Sequence, residues 1–153
     1  MKRVFGLFTA VGIVVLSMVL LGCTSNDQAI EKSKERPGGF LTELQTIHTT
    51  IPSSTVSSKD QVKEAILQAT KDYDWTLDQE QANTFIFKIF RRKHMVKVKI
   101  TYTEKEYTIE YADSENMRYD KEHNAIHRNY MRWVNNLDKA IYKSVLSKGG
   151  AKK

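Results

Sequence analysis

The alternation of apolar and polar positions is sharpest in the middle of the chain. Val96, Val98, Ile100 and Tyr102 alternate with Met95, Lys97, Lys99, Thr101 and Thr103, the period of two that sends successive side chains to opposite faces of a strand. Tyr107, Ile109 and Tyr111 resume the pattern beyond Glu104-Lys105. With those two residues as a hairpin tip, Tyr102 faces Tyr107, Ile100 faces Ile109 and Lys99 faces Glu110, so apolar groups meet and unlike charges meet. The same test with Arg92-Lys93 as the tip sets Ile89 opposite Val96, Phe87 opposite Val98 and Phe85 opposite Ile100. Three antiparallel strands in one register follow. The outer face then carries Lys88 directly opposite Lys97, a like-charge pair that costs stability unless something compensates it.

Helical spacing brackets this sheet. Ser58-Lys59-Asp60-Gln61 has the form of a capping box, and Val62, Ile66, Ala69 and Tyr73 share one face of the helix it opens, which is expected to end near Asp72 to Asp74. Trp75 and Leu77 are expected to pack beneath the sheet, with Asp78 to Asn83 as a turn. Beyond a polar stretch from Asp113 to Lys121, Asp120 is positioned to cap a long final helix whose stripe is Ile126, Tyr130, Val134, Leu137, Ile141 and Val145. The expected fold class is therefore α+β: a three-stranded antiparallel meander with an N-terminal helix and a long C-terminal helix packed on one face. Phe40, Leu41, Leu44 and Ile47 recur at near-helical spacing, but Thr46, Thr49, Thr50 and Pro52 interrupt them, which predicts a short docking segment.

The N-terminus carries a different pattern. Met1-Lys2-Arg3 is basic and Val4 to Leu21 is uncharged and apolar, the arrangement of an export signal. A stretch of about 18 apolar residues just suffices to span a bilayer, so an uncleaved transmembrane anchor is the alternative. The run closes on Leu20-Leu21-Gly22-Cys23, which holds the only cysteine of the chain. This boundary resembles the lipobox of bacterial lipoproteins. That resemblance implies a diacylglycerol on the Cys23 thiol, cleavage after Gly22, and attachment through several acyl chains, one chain alone binding only marginally. Thr24, uncharged after the cysteine, resembles lipoproteins sent on to the outer membrane, which implies a domain facing the periplasm.

The expected organisation is a signal peptide at 1–22, a lipidated cysteine with a flexible tether at 23–57, a globular domain at 58–147 and a basic tail at 148–153. The stretch Ile126-His127-Arg128-Asn129-Tyr130-Met131-Arg132-Trp133-Val134-Asn135-Asn136-Leu137, with Tyr111-Ala112-Asp113-Ser114 upstream, is similar to small uncharacterised lipoproteins of Gram-negative bacteria. The similarity runs from about Val62 to Leu146. It implies a helix, three strands and a helix, and no assigned activity.

Composition narrows the chemistry. Outside the cytoplasm a lone cysteine forms no internal disulfide. No glycine occurs between Phe40 and Lys148, which removes the familiar phosphate-cradling loops, and no Gly-x-Ser-x-Gly elbow is present. Neither an enzyme nor a cofactor is expected. The chain of 153 residues has a formal charge of +6, a bias towards anionic surfaces, and export removes nucleic acid as the usual partner.

The candidate contact surface is the basic strip Lys88, Lys97 and Lys99 with Arg91, Arg92 and Lys93 at the adjacent turn and Phe90 beside them. It suits an envelope protein or an anionic lipid headgroup; the alternative is a solvated face whose lysines deter edge aggregation. A rival reading is a metal-dependent enzyme, in which His123 and His127, four apart on the last helix, share an ion with Glu122 nearby; a purely structural spacer is a third. Tyr119, Tyr130 and Trp133, near Asn129, Asn135 and Asn136, are candidates for a sugar or peptide pocket, or simply the aromatic edge of a core helix.

Overall fold

A computed structural model describes residues 40–55 and 58–149. The export signal, Cys23, Thr24 and most of the expected tether lie outside the described residues. The described chain is α+β: seven strands, β1 (Leu41–Glu43), β2 (Ile47–Thr50), β3 (Thr76–Gln81), β4 (Thr84–Arg91), β5 (His94–Tyr102), β6 (Glu106–Glu115) and β7 (Ala125–His127), with helices α1 (Lys59–Asp72) and α2 (Asn129–Gly149). One antiparallel sheet has the order β2-β6-β5-β4-β3, and β1 pairs with β7 in a second, two-stranded sheet.

The three central strands have the register that the alternation predicts: Phe85 faces Ile100, Phe87 faces Val98, Ile89 faces Val96, Ile100 faces Ile109 and Tyr102 faces Tyr107. The sheet is wider than a three-stranded meander, however. Residues 78–81, expected in a turn, belong to edge strand β3, and the segment read as a helical docking piece forms β1 and β2. β2 adds to the far edge of the sheet by pairing Ile47 with Ile109 and Thr49 with Tyr107.

Both helices join one apolar cluster with the inner sheet face. Val62, Ile66 and Ala69 of α1 and Tyr130, Val134, Leu137, Ile141 and Val145 of α2 are buried with Phe85, Phe87, Val96, Val98, Ile100 and Ile109. Burying such side chains contributes about 1.5–3 kcal/mol each, so this cluster is the main source of stability. Ser58 caps α1 as its sequence indicates, its hydroxyl accepting from the Gln61 amide. Tyr73 and Leu77, by contrast, are exposed, and only Trp75 is buried. Asp138 fastens α2 to the sheet: its carboxylate accepts the Tyr107 hydroxyl at 2.7 Å and the Thr49 hydroxyl at 2.8 Å.

Helix α2 begins later than expected. Asp120 and Ala125 exchange two backbone hydrogen bonds of 2.8 and 2.9 Å, closing a hairpin in which the Asp120 carboxylate accepts the amides of Glu122 and His123. Asp120 is thus a cap, but of a turn. Helix α2 runs through Lys148 to Gly149, where a Cβ would overlap the Thr55 carbonyl, so close approach of the loop excludes any side chain there. Elsewhere the tight turns do without glycine. Asp74, Ala82, Arg92, Asn116, Arg118 and Asn124 all take positive φ, a conformation that costs a non-glycine residue roughly 1–2 kcal/mol, less for Asn and Asp.

Candidate functional site: a basic cleft at the end of the sheet

The lysine strip of the outer sheet face is electrostatically satisfied. Lys88 does face Lys97, and a bulge in β3 explains how the pair is tolerated. Between Leu77 and Gln79 the register slips by one residue, Asp78. A bulge leaves its extra residue unpaired and re-aims it, and the Asp78 carboxylate bridges Lys88 at 2.7 Å and Lys97 at 3.1 Å. Lys88 and then Lys97 hold the Asp78 carboxyl below its ordinary value. Lys99 pairs with Glu110 at 2.7 Å, and Arg91 with Asp74 at 3.0 Å. Phe90, 63% exposed, remains as an apolar spot beside these neutralised cations.

Charge goes uncompensated one step further along the same hairpin. The Arg92-Lys93 turn delivers Lys93 and His94 to a cleft of about 420 Å³, which Phe40, Asn116, Arg118 and His127 complete. Four separate segments meet there: the residue before β1, the β4–β5 turn, the loop after β6, and β7. Backbone hydrogen bonds hold them, from His127 N–H to Met117 C=O at 2.8 Å and from Arg128 N–H to Phe40 C=O at 2.9 Å. Arg128 lies over the Phe40 ring at 5.8 Å, and Phe40 stacks on His127 with ring centroids 6.4 Å apart. Among the described residues no carboxylate pairs with Lys93, Arg118, Arg128 or Arg132, and none lines the cleft. Phe40 to Gly149 holds seventeen Lys and Arg against fifteen Asp and Glu, so the basic cleft reflects segregation of charge rather than surplus.

The two cleft imidazoles have assignable roles. His94 Nδ1 lies 2.8 Å from the Asn116 carbonyl, which only accepts, so Nδ1 carries a hydrogen and Nε2 is left for the cleft. His127 is the opposite tautomer. The Asn129 amide, the first of α2, donates to its Nδ1 at 3.2 Å, so the neutral ring carries its hydrogen on Nε2 and offers a donor. Protonating His127 would sacrifice that bond. Desolvation, reinforced by His94, Arg118, Arg128 and Arg132, holds its pKa below the ordinary 6.5. A second cleft of about 320 Å³ adjoins, lined by Tyr73, Trp75, Ile89, Arg91, Arg132, Trp133 and Asn136. The Trp133 ring lies 6.4 Å from that of His94.

Comparison of the chain with protein-family models, curated proteins and solved structures finds no match. The site therefore rests on its own geometry.

That geometry redistributes the residues singled out from sequence. His123 and His127 do not share a helix face. His123 lies in the 121–124 turn, 2.8 Å from the Asp120 carboxylate, while His127 ends β7 beside His94, with ring centroids 5.8 Å apart. The metal arrangement read from their four-residue spacing is overturned, and among the described residues no group of three or more His, Cys, Asp or Glu is placed to hold an ion. The aromatic set also separates. Tyr130 is fully buried, Tyr119 packs on Tyr111 at 4.4 Å, and only Trp133 and Asn136 reach the second cleft. Of the basic strip, Lys93 alone lines the main cleft. Sequence reasoning passed over Phe40, His94, Asn116 and Arg118, although the dipeptides Lys93-His94 and His127-Arg128 are a faint signal of imidazoles kept among cations. No helix among the described residues is long and apolar enough to cross a membrane.

Proposed function

We propose that this is a lipid-anchored lipoprotein of the cell envelope, held at Cys23 in the outer membrane and facing the periplasm, that works as a non-enzymatic binding or assembly module for an anionic partner. The observation that carries the binding reading is the cleft of Lys93, His94, Arg118 and His127, whose only charged groups are cationic and which has no carboxylate in its lining. The lining offers donors, an exposed aromatic ring and two imidazoles, but no hydroxyl, thiol or carboxylate. The contact surface expected on the outer sheet face moves accordingly to the end of the sheet, because Asp78 and Glu110 occupy the lysines there.

Two measurements test the parts separately. Radioactive fatty acid supplied to cells should label the chain and leave Cys23→Ala unlabelled; label retained in that variant contradicts the anchor. A photo-crosslinker at Phe40 should capture an envelope component that one at Phe90 does not. Equal capture from both positions contradicts the cleft as the contact surface.

A further inference from the structure

We infer that the cleft is a binding site for a phosphate monoester carried on a headgroup- or sugar-sized body. The inference rests on the reading of this cleft as the binding surface and adds the chemical class of what it holds.

Charge decides the class of anion. Lys93 and Arg118 supply two formal charges to the lining, and Arg128 and Arg132 act on the same ring of His127. That field matches a dianion better than a carboxylate. A phosphate monoester carries about −1.5 to −2 at pH 7 and three acceptor oxygens, for which Arg and Lys are the usual partners. The histidines agree with an anion rather than a cation. His127 presents Nε2–H as long as Nδ1 accepts the Asn129 amide, so its free side is a donor and ligating a metal would require breaking that bond. His94, anchored through Nδ1 to the Asn116 carbonyl, turns Nε2 to the cleft and becomes a second donor when that nitrogen carries a hydrogen.

Arg91, opposite His94 in the hairpin register, is already paired with Asp74; the charged groups that line the cleft or act on the His127 ring are Lys93 on the hairpin turn, Arg118 on the loop after β6, Arg128 before α2, and Arg132 on α2 itself. All are cations at neutral pH, so the anion is the missing counter-charge. Size supplies the rest of the ligand. About 420 Å³ is far more than a bare phosphate occupies and falls within the range of small-molecule pockets. The ring of Phe40, 59% exposed, offers the body an apolar platform beside the anion site.

The full-length chain in uncharged detergent should be titrated calorimetrically with glycerol 3-phosphate, with short-chain phosphatidic acid, and with acetate. Work near pH 8 keeps the monoesters dianionic, their second pKa being about 6. At least one monoester should bind saturably, and acetate at least about tenfold more weakly. Arg118→Gln should weaken binding about 10- to 100-fold, the loss of one charge-assisted hydrogen bond, whereas Lys99→Gln on the outer face should leave it unchanged.

Preference for phosphatidic acid assigns the phosphate to a lipid headgroup, and preference for glycerol phosphate to a soluble ligand; both support the class. Acetate equal to the monoesters, absence of saturable binding, or equal losses in Lys99→Gln and Arg118→Gln overturns it. Capture at Phe40 together with a failed phosphate titration would leave the contact surface standing and remove only the ligand class.

Discussion

The two basic regions of this protein share one hairpin and behave in opposite ways. On the outer sheet face Lys88, Lys97 and Lys99 each sit within 3.1 Å of a carboxylate. At the turn end of the same strands, Lys93, His94, Arg118 and His127 surround a cleft that contains none. By composition the first looks the better anion site, with three lysines in a row on one face. Compensation reverses the order, because a lysine paired to Asp78 must lose one partner to gain another, whereas Arg118 has nothing to give up. Where opposite charges lie decides what a basic patch is for, more than how many cations it has.

The largest expected effect breaks the comparison from the cleft side. Replacing Lys93 and Arg118 together by Gln should lower affinity for an anionic probe by about 100-fold or more, two charge-assisted contacts being lost. Replacing Lys97 and Lys99 together should change it less than about threefold, within the range of a remote screened charge. Isothermal titration of both variants against one probe gives the ratio directly.

The next breaks it from the other side. Asp78→Asn leaves Lys88 and Lys97 opposed with no counter-ion between them. Its melting temperature should fall, recovering partly in about 1 M salt, where the screening length is only about 3 Å. The freed lysines should give this variant a weak second anion site. A melting temperature indifferent to both the substitution and salt would mean that the bulge, not the charge, holds β3 in place.

Acid should separate the regions by pH. His127 has its folded pKa below the ordinary 6.5, so the unfolded chain binds its proton first. Stability is therefore full above about pH 6.5 and declines as pH falls through the lower folded value. The depressed carboxyl of Asp78 works in a lower window: its contribution is full above the ordinary 3.8 and is lost as pH falls through a value below that. His127→Asn, which still offers a side-chain acceptor to the start of α2, should flatten the upper limb and spare the lower in denaturant titrations.

The smallest effect belongs to the turn that joins the regions. Arg92 holds a φ of 57°, so Arg92→Gly should stabilise the fold by about 1 kcal/mol while changing anion affinity little, since Arg92 does not line the cleft.

The central register, the Ser58 cap and the buried stripe of α2 were legible because each is written as a local spacing. The edge strands were not. Thr76 to Gln81 buries little, and its strand character comes from backbone pairing with β4 rather than from any alternation. Asp120 misled for a chemical reason: a carboxylate accepting amides two and three residues on has the same sequence form at a helix start and in an Asx turn. That misreading also placed His123 and His127 together. The cleft was illegible as a site because Phe40, Lys93-His94, Asn116-Arg118 and His127 are far apart in sequence and only the β1–β7 pairing and the hairpin turn bring them together.

The histidines supply the most direct test of where function resides. The chain has four: His94 and His127 in the cleft, His48 on β2 beside Thr108, and His123 bonded to Asp120. Imidazole resonances followed by NMR while glycerol 3-phosphate is added should move at His94 and His127 and stay still at His48 and His123. Shifts shared equally by all four, or confined to His48 and His123, would contradict the cleft as the binding site.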